Sequence, residues 1–172
     1  MSEGEREIDL FISHSNRDAD LAEAFIELQR TACSIPDTRI RCSSVEGYKL
    51  PIGAPTNDHL RHEVNATKLF VGLITPSSIE SVYVLFELGA RWGAGLHLAP
   101  ILARGKEQEA NLLKGPLSDI NALNGTSSAD LHQLISDFKN MLDAPSVNAA
   151  VYQKYIEKVV SLSKSAVKSG ST

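Results

Sequence analysis

Short apolar runs alternate with amphipathic segments along most of the chain. "IDLFIS" (8–13) is a β-rich run that ends in polar loop residues and predicts a buried strand. After "HSNRD", the segment "ADLAEAFIELQRTA" sets Leu21, Ala24, Phe25 and Leu28 on one helical face, with Asp18 placed to cap it. "TRIRCSS" (38–44) predicts a second strand, and "VEGYKLPIGAPTN" (45–57), with its Gly and Pro residues, a loop. "DHLRHEVNA" (58–66) reads as a short helix and "KLFVGLI" (68–74) as a continuous apolar strand. "TPSSIE" breaks the pattern before a helix that runs to about Gly93. "HLAPILA" (97–103) is a fourth strand, irregular or at an edge because of Pro100, and "DINALN" (119–124) a short fifth. Helices are predicted over 128–142 and 147–168, the latter with Val151, Tyr155, Ile156, Val159 and Leu162 on one side. This order of elements implies an α/β fold, a parallel sheet with helices on both faces. "SGST" ends the chain in the style of a disordered tail.

Composition narrows the class of function. The 172 residues are 42% hydrophobic and 22% charged, as in an ordinary globular domain. A formal charge of -4, with Lys and Arg scattered, predicts neither a nucleic-acid nor an acidic-membrane partner. Cys33 and Cys42 are too few for a disulfide framework and form no CxxC pair, so structural zinc is not expected. The acidic start "MSEGEREIDLF" is unlike a signal peptide, and no apolar run reaches the ~20 residues of a membrane helix. A reducing, cytoplasmic location is the expectation.

Open α/β sheets bind ligands beyond the carboxyl ends of their strands, at a switch point. In a flavodoxin-like order that point lies between the first and third strands, whose exits here are "SHSNRD" (13–18) and "TPSSIES" (75–81). Both are rich in hydroxyls and small residues. Loop 45–57 leaves the second strand at the same edge and is a candidate lid. The neighbouring helix, "SVYVLFELGARWGAG", is apolar or small from Val82 to Trp92 except for Glu87, Arg91 and the Tyr83 hydroxyl. If it starts at Ser78, Glu87 lies roughly 13 Å down the helix; if Ser81 caps it, about 9 Å. The later start is the one expected, with "PSSIE" a turn or separate short segment and Tyr83 one turn above Glu87.

"DLFISHSNRD", the Gly/Pro loop after the second strand, and "KLFVGLITPSSIESVYVLFELG" together resemble the bacterial TIR (Toll/interleukin-1 receptor) domain, over roughly residues 6 to 143. The specific elements are Ser13, His14 and Arg17-Asp18 in the first box, and Ser81, Tyr83, Glu87 and Leu88 in the second. Tyr83 stands where many enzymatic members have Trp, and "RCSSVEGYKLPIGA" lacks the usual Asp after the second strand. The resemblance implies a flavodoxin-like five-stranded parallel sheet over 1–143, followed by a C-terminal helical extension over 144–172. It further implies cleavage of NAD+ at the nicotinamide–ribose bond, giving nicotinamide with ADP-ribose or a cyclic isomer, in antiphage defence or signalling. NAD+ would be substrate, with no cofactor and no metal. Glu87 would be the catalytic residue, and Ser13, His14, Arg17, Ser81, Tyr83, Tyr48 and Gly53 would bind substrate. Self-association through TIR–TIR contacts is implied as well, with a sensor or effector as a further partner.

The residues suit that chemistry. Nicotinamide departs neutral, so no general acid is required, and one carboxylate can stabilise the oxocarbenium ion on the ribose. Burial would strengthen its field while raising its pKa. Plainer readings stand beside this. Glu87 and Arg91 are spaced for an ordinary i, i+4 ion pair. Tyr83 is as well suited to a core as to a ligand, and Gly89, Gly93, Ala90 and Ala94 to close helix–sheet packing. Ser13 and His14 should point to opposite faces, and no GxSxG elbow is present, which argues against a serine hydrolase. His59 and His62 read as a solvated helix face rather than metal ligands, and loop 45–57 lacks the Lys of a P-loop. The rival functions are a non-catalytic TIR scaffold and a nucleoside-processing transferase. A phosphorylation receiver is rejected, because "LITPSS" has no acidic residue at the third strand's exit.

Overall fold

The structure, a computed structural model, describes residues 7–42, 62–105 and 121–165. Five strands, β1 (Leu10–Ser13), β2 (Ile40–Cys42), β3 (Leu69–Ile74), β4 (Ala99–Leu102) and β5 (Leu123–Asn124), form one sheet in the order β2-β1-β3-β4-β5. Every pairing is parallel. This is the flavodoxin-like order, with its reversal between β1 and β3. The helices are α1 (Ala19–Cys33), α2 (Val82–Gly93), α3 (Ser128–Leu142) and α4 (Ala149–Lys164). Residues 62–66 are also helical; the rest of the expected 58–66 helix lies outside the described residues.

Side chains alternate across the pleat, so each strand feeds two cores. Leu10, Ile12, Val71 and Leu73 point to one face, against Phe25 and Leu28 of α1, Phe138 of α3 and Ile156 of α4. Phe11, Phe70 and Ile74 point to the other, against Val84 and Leu88 of α2 and Val64. Phe11 and Phe70 stack with ring centroids 5.2 Å apart. α2 approaches β3 closely at Gly72, where an added Cβ would lie 2.5 Å from Leu88 Cδ2. A side chain there would have to displace the tip of Leu88, so glycine lets Leu88 pack directly on the strand.

Three expectations change at the strand and helix ends. β4 lies inside the sheet, yet its pairing with β5 covers only Ile101 and Leu102, so Pro100 costs no bond on that side. β5 is confined to Leu123–Asn124 among the described residues. Asp18 occupies the N-cap position of α1 but gives it no side-chain bond, because its carboxylate is engaged elsewhere.

α4 is integral to the packing. Tyr152, Ile156 and Val159 belong to the same apolar cluster as the inner residues of α1 and α3. Ile156→Ala should therefore cost about 2–5 kcal/mol, read as a lowered urea midpoint with unchanged slope. A change within about 0.5 kcal/mol would show that α4 is only loosely docked.

Candidate functional site

β1 and β3 lie side by side, so the loops that leave Ser13 and Ile74 meet at one edge of the sheet. The second loop closes on itself. Thr75 N–H donates to Ser78 Oγ at 2.7 Å, Ser78 N–H to Thr75 Oγ1 at 3.1 Å, and Ser78 Oγ to Thr75 O at 3.1 Å. A single 3-10 turn, Ser78–Glu80, follows. Ser81 is then extended and its Oγ accepts from Val84 N–H at 3.4 Å, which caps α2. The helix thus begins at Val82, as the later-start reading requires, and Glu87 lies in its second turn, about 9 Å from the cap.

Glu87 is half-buried. Burial pushes its carboxyl up to about 7, opposed by the nearby Ser13 hydroxyl. Ser13 Oγ is itself buried and meets no partner at full hydrogen-bond geometry. The two groups are thus close but loosely engaged, on the α2 side of the sheet that Ser13 shares with Phe11.

The ordinary ion pair with Arg91 does not form. Arg91 turns under α2, only 1% exposed, and donates to the carbonyls of His97 at 2.6 Å, Val64 at 2.9 Å and Lys68 at 3.3 Å. Its guanidinium also lies 5.8 Å from the centre of the Phe70 ring. Three carbonyls engage its Nε, Nη1 and Nη2, and Glu87 has no cationic partner among the described residues.

The remaining candidates divide. Tyr83 is 74% exposed, on the Glu87 side of α2 one turn nearer the cap, so it is no core aromatic. Arg17 is exposed, and its backbone N–H donates to Ser15 Oγ at 3.3 Å. His14 is buried and its ring faces β2. Nδ1–H donates to Ser15 O at 2.7 Å, and Nε2 lies 3.0 Å from Cys42 Sγ. Cys42 belongs to the core on the α1 side, so His14 is directed away from Glu87. Burial lowers its pKa, which the Ser15 bond and Asp18 counter in part. His14 is not brought together with Ser13, Tyr83 and Glu87. Tyr48, Gly53 and the whole 45–57 loop lie outside the described residues.

Gly89 and Gly93 also depart from expectation. Both are exposed, and a Cβ built on either would meet nothing within 4 Å. They face away from the sheet and take no part in helix–sheet packing.

One group at this edge escaped the sequence reading. Arg104, just past β4, has its side chain only 2% exposed. It donates to Asp18 Oδ1 at 3.0 Å, Asp20 Oδ2 at 2.7 Å and Leu162 O at 3.0 Å. Its own N–H donates to Ser163 O at 2.7 Å, and its φ of 60° lies in the left-handed region. Thr75 Oγ1 donates to the other Asp18 oxygen. Arg104 therefore ties the exits of β1, β3 and β4 to the end of α4. Burial works against its charge, but Asp20 and Asp18 outweigh it and raise the pKa. Only the position of an Arg directly after an apolar strand hinted at this role.

No group of three potential metal ligands occurs among the described residues. No described helix is long and apolar enough to cross a membrane. An open hollow lined by Glu27, Arg30, Ile35 and Asp37 sits at the opposite end of the sheet, remote from Glu87. No protein-family model matches the chain, and no curated protein matches its sequence.

Two measurements probe this edge. A carboxyl raised from 4.5 to about 7 on folding makes a contribution that is fully present below pH 4.5 and is lost as pH rises through 7. Glu87→Gln removes that loss. Its stability relative to the parent should be near zero at pH 4.5 and rise by up to about 3 kcal/mol at pH 8. A difference independent of pH would mean that Glu87 titrates normally. Arg104→Met leaves Asp18 buried and uncompensated and should cost about 3–5 kcal/mol in urea unfolding. A loss under 1 kcal/mol would show the pair to be solvated.

Proposed function

We propose that the chain cleaves NAD+ at the bond between nicotinamide and ribose, with Glu87 as the catalytic carboxylate. The observation that carries the reading is Glu87 itself: a half-buried carboxylate, without a cationic partner among the described residues, at the strand-exit edge where this fold class binds ligands. A merely structural Glu would be solvated or paired. Here Arg91 is close enough in sequence to pair and is diverted to backbone carbonyls. A lone anion in a low-dielectric setting is suited to a positive charge that develops only during the reaction.

In the proposed step the C1′–N bond of the nicotinamide riboside breaks and its electron pair returns to the pyridinium nitrogen. Nicotinamide leaves neutral, and the ribose carries the oxocarbenium charge beside the Glu87 carboxylate. Water then adds to C1′ and loses a proton, giving ADP-ribose; addition of an adenine nitrogen gives a cyclic isomer. Tyr83, exposed on the same side of α2, is placed to lie against the ring or the ribose. Ser13, with its Oγ buried beside Glu87, would orient the carboxylate rather than touch substrate, and the exposed Arg17 would meet the diphosphate. The fold and the resemblance at Ser13, Arg17, Ser81, Tyr83 and Glu87 support this reading. The second reading, a non-catalytic interaction module, is favoured by the bare apolar face of α2.

Chromatography of NAD+ incubated with the concentrated full-length chain separates the two readings. Release of nicotinamide is expected, with a loss of at least about a hundredfold in Glu87→Gln. Because the carboxylate must be ionised, kcat/KM should fall about tenfold per pH unit below about 7. Equal turnover by the parent chain and Glu87→Gln would refute the assignment.

A further inference from the structure

The turn that carries Arg17 is anchored through its last residue. Asn16–Asp18 is a single 3-10 turn, and Arg17 stands exposed on it. The Asp18 carboxylate is wholly buried and is held from two sides. Thr75 Oγ1, at the exit of β3, donates to Oδ2, and Arg104 Nη1, just past β4, donates to Oδ1 at 3.0 Å. Arg104 is held in turn by α4. Its Nε donates to Leu162 O at 3.0 Å and its backbone N–H to Ser163 O at 2.7 Å. These are last-turn carbonyls, which find no N–H within their own helix. A cation is favoured at that end of a helix.

Two features set this linkage apart from ordinary packing. Arg104 has a φ of 60°, a conformation in which glycine is relaxed and other residues are not. A buried ion pair is also seldom more stabilising than apolar side chains of similar volume. Stability alone would be served as well by a glycine and an apolar contact. What the charged pair adds is one fixed position for the turn.

We infer that Arg104 is a positioning residue of the site: through Asp18 it fixes the turn on which Arg17 meets the substrate diphosphate, and through Leu162 and Ser163 it makes the last turn of α4 part of the site's scaffold. This rests on NAD+ being the substrate. The resemblance to the TIR domain gives Arg104 no role, and α4 lies beyond the residues 6–143 that carry it. Glu87 is placed separately, by the cap at Ser81 and the packing of α2. The linkage therefore acts on substrate binding and leaves the chemical step alone.

Steady-state NAD+ turnover by the full-length chain tests this, at a temperature where circular dichroism shows each variant folded. Arg104→Met alone would strand the Asp18 charge, so it is combined with Asp18→Asn. The pair should raise KM at least about tenfold, the worth of one charge-assisted contact, while kcat and the pH midpoint set by Glu87 stay as in the parent. Arg104→Lys keeps Asp18 compensated but cannot hold Asp18, Asp20 and Leu162 at once, and should raise KM by about threefold or more. Ile156→Ala destabilises the domain without touching the linkage and should leave KM unchanged. Arg17→Ala should raise KM in the parent, yet by less than about twofold in the paired variant, because both changes remove the same contact. KM within about twofold of the parent in both the pair and Arg104→Lys would overturn the inference. So would an equal rise in Ile156→Ala, a shifted pH midpoint, or full additivity with Arg17→Ala. A parent chain without NAD+ turnover would sink the NAD+ reading and this inference with it. Turnover that needs Glu87 but ignores the linkage would sink this inference alone.

Discussion

Ser81 accepts a hydrogen bond from Val84 N–H, and the position of that cap determines the rest of the edge. It places Leu88 directly on Gly72 of β3 and sets Glu87 beside Ser13 at the end of β1. Start the helix three residues earlier and Glu87 descends about 4.5 Å along the sheet, out of reach of the strand exits. The self-closing turn at Thr75 and Ser78, with the 3-10 turn after it, is what delays the helix.

Arg91 is the counterpart of this arrangement. An i, i+4 neighbour would normally neutralise Glu87, but here the guanidinium is drawn away to the carbonyls of Val64, Lys68 and His97. Among the described residues no cation offsets the carboxylate's desolvation, which only the Ser13 hydroxyl opposes, and the outer face of the helix is left to apolar side chains. The same inward turn of two charges accounts for both the raised pKa and the bare surface. On the other side of the exits, Arg104 and Asp18 hold the first loop against Thr75 and the end of α4.

Periodicity carried the regular elements well, because the two faces of β1 and β3 are filled by residues whose pattern is local. The strand order also followed, since short strands alternating with amphipathic helices leave few right-handed parallel solutions. The cap at Ser81 was legible for the same reason: its partner is three residues away. What could not be read were bonds set by the fold. Asp18 looked like a helix cap, but its partners, Thr75 and Arg104, lie 57 and 86 residues distant. Arg91 looked like an ion-pair partner, yet carbonyls up to 27 residues away claim it. Gly89 and Gly93 suggested close packing against the sheet, but both are exposed, and nothing local told which side of α2 they face.

The most direct test is a carbon-13 NMR titration of the glutamate carboxyls, with the Glu87 resonance assigned by its loss in Glu87→Gln. A half-buried Glu87 with no cationic partner among the described residues predicts a midpoint near 7. A midpoint at or below the ordinary 4.5 would mean that the carboxylate is solvated or paired, and would contradict the assignment of this edge as a functional site.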